Sequence, residues 1–200
     1  MAKCKTLKIV VLGAGGCGVS NLITKFVHNT FLPPGYAPEL EDSFTKIVQL
    51  GDQVYRVDIF DASRTSPLTP LRESVLFSAH GFLLVYSVTC QESFTRLPDL
   101  WDEVVYLSGC AGPVVCIVGS KSDDEDRRVV ARQQGELTSE ALGSCCFAEV
   151  SAKRGDNVDM VFHELIKQIV TKRGTRREGR RESRREGRWS QLPCCFSQIW

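Results

Sequence analysis

Residues 7–21, LKIVVLGAGGCGVSN, constrain the fold of this 200-residue chain more than any other stretch. An apolar run at residues 9–12 is followed by four glycines within six residues, by Ser20 and by a helical pattern. Such a β-branched run is typical of a buried strand, and the glycines favour a sharply turning loop with exposed N–H groups. Because the next helix would direct its positive N-terminal end at the loop, the stretch predicts a phosphate-binding cradle. The simpler alternative is a glycine-rich turn without a ligand.

The spacing matches the phosphate-loop pattern GxxxxGKS/T at every fixed position but one. Gly13, Gly18 and Ser20 occupy their places, whereas Val19 stands where the pattern has Lys. That Lys reaches the β- and γ-phosphates of a nucleotide, and an apolar side chain cannot replace it. A charge-assisted contact contributes roughly 1.5–3 kcal/mol, so we expect the phosphate affinity to be lower by about one to two decades.

Charge is distributed unevenly along the chain. Residues 171–200 hold nine basic and three acidic residues, a net charge of +6, whereas the preceding residues carry a net charge of −5. The basic segment repeats RREG, RRES and RREG without an apolar residue before Trp189, which predicts a disordered tail. We therefore divide the chain into a domain, residues 1–170, and a basic tail, residues 171–200.

The nine cysteines are irregularly spaced and include no CxxC motif, which argues against a disulfide framework or a zinc site. Cys116 lies in an apolar run and is expected to be a small buried thiol. No apolar run approaches the roughly 18 residues of a membrane span, and no segment resembles a signal peptide. These features predict a cytoplasmic protein in a reducing compartment.

Apolar periodicity predicts an alternation of strands and helices. The predicted strands cover residues 9–12, 44–50, 54–60, 81–88, 113–118 and 146–150, and the predicted helices cover residues 19–28, 71–78, 91–108, 132–142 and 157–170. Gly51 and Asp52 would join two of the strands as a hairpin. The pattern predicts an α/β fold with a mostly parallel six-stranded sheet, one antiparallel edge hairpin and helices on both faces. Ligands of such sheets bind at the carboxyl ends of the strands.

Five collinear stretches over about residues 6–170 resemble the Ras branch of the small GTPases. They are GAGGCGVS at residues 13–20, YAPELEDSF at 36–44, DASRT at 61–65, SKSD at 120–123 and EVSAK at 149–153. In order, they are similar to the phosphate loop, to switch I with the effector strand, and to the motifs DTAGQ, NKxD and ETSAK. The resemblance implies a P-loop NTPase fold with GTP or GDP and Mg²⁺ as ligands.

By this resemblance, Asp123 would accept two N–H bonds from guanine, a contact that adenine cannot reproduce. Lys121 would lie along the base and brace the phosphate loop, and Phe31 would pack against the edge of the base. Ala152 would offer its backbone N–H to the guanine oxygen, and Ser120 replaces an Asn. Ser20 and Asp61 are the implied magnesium contacts. The implied nucleotide-binding residues are Gly13, Gly15, Gly16, Cys17, Gly18, Val19, Ser20, Asn21, Phe31, Ser120, Lys121, Asp123, Ser151, Ala152 and Lys153.

The switch segments depart from the family pattern. Glu39 stands where the family has the Thr that closes switch I onto Mg²⁺, and its charge would face the γ-phosphate. Arg64 replaces a Gly of switch II, and Thr65 replaces the water-orienting Gln, as it does in the Rap branch. Thr65 is the only candidate catalytic residue, and the combination predicts weak intrinsic hydrolysis. In the alternative interpretation, Arg64 restores the charge that is lost at Val19.

The surface for partners matches the family pattern better. Leu40, Glu41, Asp42 and Ser43 match the effector segment, where family members add a partner's strand to the sheet edge. We therefore expect effector proteins to bind there. The alternative is a solvated acidic loop.

The tail lacks the family's prenylation box, because Gln198, Ile199 and Trp200 extend beyond Cys194 and Cys195. Acylation of these cysteines together with the arginines would direct the protein to an anionic membrane, such as the inner face of the plasma membrane. A solvated tail and RNA binding are the alternatives, and no DNA partner is expected.

Two functions follow from these patterns. One is a Ras-like GTP-binding signalling protein that retains guanine recognition but has impaired phosphate binding and hydrolysis. The alternative is a pseudo-GTPase, an interaction module without a nucleotide cycle.

Overall fold

The computed structural model describes residues 5–33, 42–63, 70–108, 112–144 and 146–189, of which residues 71, 72 and 175–189 are described by their backbone alone. The strands are β1 (Lys5–Gly13), β2 (Ser43–Leu50), β3 (Gln53–Asp61), β4 (Gly81–Ser87), β5 (Val115–Ser120) and β6 (Cys146–Val150). The helices are α1 (Val19–His28), α2 (Pro70–Ser78), α3 (Gln91–Thr95), α4 (Leu97–Leu107), α5 (Arg132–Leu142) and α6 (Val158–Trp189), and Glu125–Arg127 form a 3₁₀ turn.

The six strands form one sheet in the order β2-β3-β1-β4-β5-β6. The β2–β3 pair is antiparallel and the other four pairs are parallel. The hairpin turns at Gly51, whose φ of +58° is a conformation that glycine adopts without strain. The predicted mostly parallel six-stranded sheet with one edge hairpin is therefore confirmed.

Helices cover both faces of the sheet, and this explains why β1 is apolar without alternation. Ile9 and Val11 join a core cluster with α1 and α6, where the rings of Phe26 and Phe162 stack with centroids 4.0 Å apart. Val10 and the next residue on that face, Leu12, join a second cluster with α2 and α4. Both faces of the strand are thus withdrawn from water.

The helix predicted over residues 91–108 is instead two helices, α3 and α4, which are separated at Arg96. Pro98 explains the break, since it has no N–H for the carbonyl of Phe94 and its ring would collide with that carbonyl. At the start of a new helix the missing donor costs nothing. The prediction of one continuous helix was wrong for this reason.

The last helix also differs from its prediction. α6 begins at Val158 and continues past residue 170 to Trp189, so the helix extends into the segment for which the sequence predicts disorder. Arg and Glu are good helix formers, and a helix that is already nucleated adds one hydrogen bond for each further residue. No helix of the described residues combines the length and the apolar character that crossing a membrane requires.

Cys116 is a disulfide partner of Cys146, which corrects the expectation of a free buried thiol. The two residues are directly opposite each other on the parallel strands β5 and β6, with Cα atoms 4.7 Å apart. They are 30 positions apart in the sequence, and only the strand register brings them together. Spacing in the sequence could not reveal this pair.

Candidate nucleotide-binding site

The loops that follow β1, β5 and β6 meet at one end of the sheet and enclose a cavity of about 340 Å³. This volume is in the range of small-molecule sites. The predicted phosphate loop, the SKSD segment and the EVSAK segment all contribute to the wall. The residues that line the cavity are Cys17, Gly18, Asn21, Leu22, Phe31, Ser120, Lys121, Asp123, Asp124, Arg127, Val150, Ala152 and Lys153.

The phosphate loop has the open backbone that an anion requires. Gly16 and Gly18 have φ values of +80° and +79°, and a Cβ built on Gly15 or Gly16 would meet no atom within 4 Å. Gly18 caps α1 without a side-chain hydrogen bond, so the N–H groups of the first helical turn have no intrahelical acceptor. The loop therefore fits a phosphate group.

Val19, in contrast, contributes nothing but its backbone to this loop. Its side chain is 3% exposed and lies in the core cluster with α1 and α6. One of its methyl carbons is 2.9 Å from the position that a Cβ on Gly13 would occupy. A nucleotide bound at the loop would therefore find no cation at this position.

Ser20 and Asp61, the two predicted magnesium contacts, are adjacent. The Ser20 hydroxyl donates to one carboxylate oxygen of Asp61 at 2.7 Å. The other oxygen accepts the backbone N–H of Ser63 at 3.0 Å and the Ser63 hydroxyl at 2.6 Å. Among the described residues no group of three or more His, Cys, Asp or Glu side chains could hold a metal. One hydroxyl and one carboxylate suit Mg²⁺, which takes its remaining ligands from water and phosphate.

The end of the cavity where the sequence predicts the base, called the base end below, is organised around Asp123. The Ser151 hydroxyl donates to Asp123 Oδ1 at 2.6 Å and accepts the backbone N–H of Arg154 at 3.0 Å. Ser151 is fully buried, so the carboxylate is held in one orientation. Asp123 Oδ2 has no hydrogen-bond partner among the described residues and can accept from a ligand.

Two residues at the end of β5 brace the phosphate loop. The Lys121 ammonium donates to the carbonyl of Gly16 at 2.7 Å, which confirms the bracing role that the resemblance implied. The Ser120 hydroxyl is 2.6 Å from the carbonyl of Cys17 and 2.9 Å from that of Tyr86. Its single hydrogen can serve one of these acceptors at a time. The loop is thus held by protein contacts alone.

Asn21 and Phe31 both line the cavity, and one hydrogen bond links the segments that carry them. The side-chain carbonyl of Asn21 accepts the backbone N–H of Leu32 at 2.9 Å and so ties α1 to the segment that carries Phe31. Phe31 is 37% exposed, with its ring on the cavity wall, as expected for a residue that packs against a base.

Burial raises the pKa of the Cys17 thiol, with a smaller opposing contribution from a hydrogen bond to Ser93. The thiol is therefore protonated at neutral pH and is no nucleophile.

Four lining residues were not predicted from the sequence: Leu22, Asp124, Arg127 and Val150. Asp124 forms an ion pair with Arg127, whose Nε is 3.0 Å from Asp124 Oδ1. This hydrogen bond lowers the pKa of Asp124. The spacing of three residues between an acid and a base was the available signal.

The predicted effector segment is only partly within the described residues. Asp42 and Ser43 are described: the Asp42 carbonyl accepts the backbone N–H of Asp61 at 2.9 Å, and Ser43 begins the edge strand β2. The other switch residues singled out above lie outside the described residues: Glu39, Leu40, Glu41, Arg64 and Thr65.

A mostly parallel sheet with a glycine-rich loop between its first strand and first helix is the arrangement of P-loop nucleotide-binding proteins. The sequence model of the Ras family matches residues 8–171, most of the chain. The protein therefore belongs to the Ras family of small GTP-binding proteins. Members of this family bind GTP and GDP with Mg²⁺.

Proposed function

We propose that this protein binds guanine nucleotides through an intact base site but has weak phosphate binding and little intrinsic hydrolysis. The observation that carries the proposal is the contrast between Asp123 and Val19. Ser151 holds the carboxylate of Asp123 in place, whereas the side chain of Val19 lies in the core and offers no charge to a phosphate.

In this proposal each part of the cavity has one task. Asp123 accepts N–H bonds from the base, and Phe31 and Lys121 enclose it. The loop N–H groups and the first turn of α1 receive the phosphates. Ser20 and Asp61 hold Mg²⁺, which neutralises phosphate charge when it is bound. Intrinsic hydrolysis is slow because the departures at Glu39, Arg64 and Thr65 combine, and not because of Thr65 alone.

The second candidate is a pseudo-GTPase that acts through its sheet edge. The buried Val19 favours this candidate, because a nucleotide cycle depends on distinguishing GTP from GDP and the loop lacks the cation that would contact the β- and γ-phosphates. In either case we propose that effectors with a basic surface bind at β2 through Glu41 and Asp42. We also propose that the protein is cytoplasmic and that its basic segment, residues 171–200, associates with anionic membranes at the inner face of the plasma membrane. The Cys116–Cys146 disulfide is an exception to the reduced thiols that are usual in that compartment.

Calorimetric titration with GMP, GDP, GTP and ADP separates the two candidates. Guanine recognition without phosphate binding predicts measurable affinity for all three guanine nucleotides, little increase from GMP to GTP, and none for ADP. Asp123→Ala should abolish the binding, because Ala leaves the base donors without an acceptor. Absence of guanine-nucleotide binding in the unmodified protein would reject the proposal in favour of the pseudo-GTPase.

A further inference from the structure

Arg127 lies on the cavity wall although no motif of the sequence contains it. It ends the 3₁₀ turn that follows Asp123 and Asp124. Its side chain is 78% exposed, and an exposed arginine ordinarily moves among many rotamers. Here two contacts restrict it, since Nε is 3.0 Å from Asp124 Oδ1 and a second guanidinium nitrogen contacts Asp124 Oδ2. This two-point pairing fixes the plane of the guanidinium.

The turn that carries Arg127 is itself anchored to the sheet. The guanidinium of Arg128 pairs with Glu149 of β6 at 2.7 Å and with Glu125 of the same turn at 2.7 Å. Glu149 is buried, so the anchor is held by the core. Arg127 is therefore presented from a rigid support.

Its position favours the nucleoside rather than the phosphates. Arg127 follows Asp123 in the same loop, and both residues line the cavity. The phosphate loop forms another part of the wall, where Lys121 contacts Gly16. A planar cation that is held at the base end can stack on a purine ring.

We propose that Arg127 contacts the purine ring of the bound nucleotide and supplies affinity that does not depend on phosphate. The inference rests on the proposed function. It assigns a part of the binding to a residue outside the family motifs, in a site whose phosphate loop lacks its lysine.

The test is calorimetric titration of full-length Arg127→Ala with GMP and GDP. Stacking of a cation on a ring predicts a loss of about three- to tenfold in affinity, equal for the two nucleotides. Arg127→Lys should not restore the affinity, because an ammonium lacks the planar face. Arg132→Ala is the matched control, since Arg132 is also exposed and ion-paired but does not line the cavity.

Removal of Arg127 leaves the Asp124 carboxylate unpaired, so the double variant Asp124→Ala/Arg127→Ala completes the set. A loss that persists in the double variant and is the same for GMP and GDP supports the proposal. A larger loss for GDP than for GMP would overturn it, because Arg127 would then act on phosphate charge. An unchanged affinity in Arg127→Ala, beside a loss in Asp123→Ala, would overturn this inference and leave the proposed function intact.

Discussion

Val19 takes the place of the phosphate-loop lysine, and its side chain packs against the backbone at Gly13. The methylene groups of a lysine could follow the same apolar wall while its ammonium reaches the loop, as long basic side chains commonly do. The loop N–H groups are already in place for the phosphate. One side chain therefore separates this loop from the complete pattern.

We expect Val19→Lys to raise the preference for GDP over GMP at least tenfold, which corresponds to about 1.4 kcal/mol. The reason is that the new ammonium would pair with the β-phosphate, which GMP lacks. Val19→Met is the matched control, since it adds length without charge and should leave the ratio of affinities unchanged. Calorimetry with both nucleotides measures the ratio. Tight, Mg²⁺-dependent GTP binding by the unmodified protein would contradict this account.

His80 is held in its neutral form by its surroundings. Its Nδ1 accepts the backbone N–H of Lys8 at 2.8 Å, and its own backbone N–H donates to the Lys8 carbonyl at 2.8 Å. Burial, and then the charges of Arg173 and Lys8, lower the pKa of the imidazole from 6.5 to about 4. At pH values between about 4 and 6.5 the unfolded chain therefore binds more protons than the folded protein does.

The free energy of unfolding should consequently fall as the pH is lowered from 7 to 5, by about 1–2 kcal/mol from this group. His80→Asn offers the Lys8 N–H a non-titrating acceptor and should remove this contribution. Urea unfolding of both proteins at the two pH values measures the difference. If the two proteins lose equal stability on acidification, His80 does not titrate as described.

At the scale of elements, β5 and β6 lead into the two loops at the base end of the cavity, and the Cys116–Cys146 disulfide joins the same strands. The cross-link spans 30 positions of the sequence. In the chain-entropy model, a cross-link that closes a loop of this size lowers the conformational entropy of the unfolded chain and so raises the free energy of unfolding by about 3–4 kcal/mol.

Reduction should therefore lower the melting temperature of the unmodified protein and leave that of Cys116→Ala/Cys146→Ala unchanged. Thiol titration in denaturant provides the second measurement. The unmodified protein should gain two more reactive thiols on reduction than the double variant does. An equal gain in both proteins would show that these cysteines are not joined.

The elements could be predicted where local pattern decides them. α5 and β6 have the predicted bounds, because their ends coincide with changes in periodicity. Residues that line the base end of the cavity could also be predicted, because the SKSD and EVSAK motifs that supply them are short and contiguous. The break between α3 and α4 was not predicted, because it is caused by a single proline, Pro98, in a segment whose apolar residues recur at helical spacing. The disulfide depends on strand register, which no linear spacing encodes. The Asp124–Arg127 ion pair had a signal in its three-residue spacing, but its place on the cavity wall depends on how the loop folds.

For the molecule as a whole, the uneven charge is the main feature beyond the fold. α6 carries the chain from the sheet into the basic segment as continuous helix. Lys172 still contacts the domain through the carbonyl of Gly112. A truncation that tests the segment should therefore keep this residue.

Ending the chain after Gly174 should release the protein from anionic liposomes at low salt. Each basic residue near such a surface contributes about 1 kcal/mol, and residues 175–200 hold seven arginines and three glutamates. Replacement of these arginines by Gln in the full-length chain is the matched control and should have the same effect. Cosedimentation at two salt concentrations measures the binding. Equal partition of the truncated and complete chains would place membrane binding elsewhere or exclude it.

The bracing of the phosphate loop by Ser120 and Lys121 also bears on the entropic cost of ligand binding. A loop that is shaped by its own chain loses little conformational freedom when a ligand arrives, so binding has little ordering to overcome.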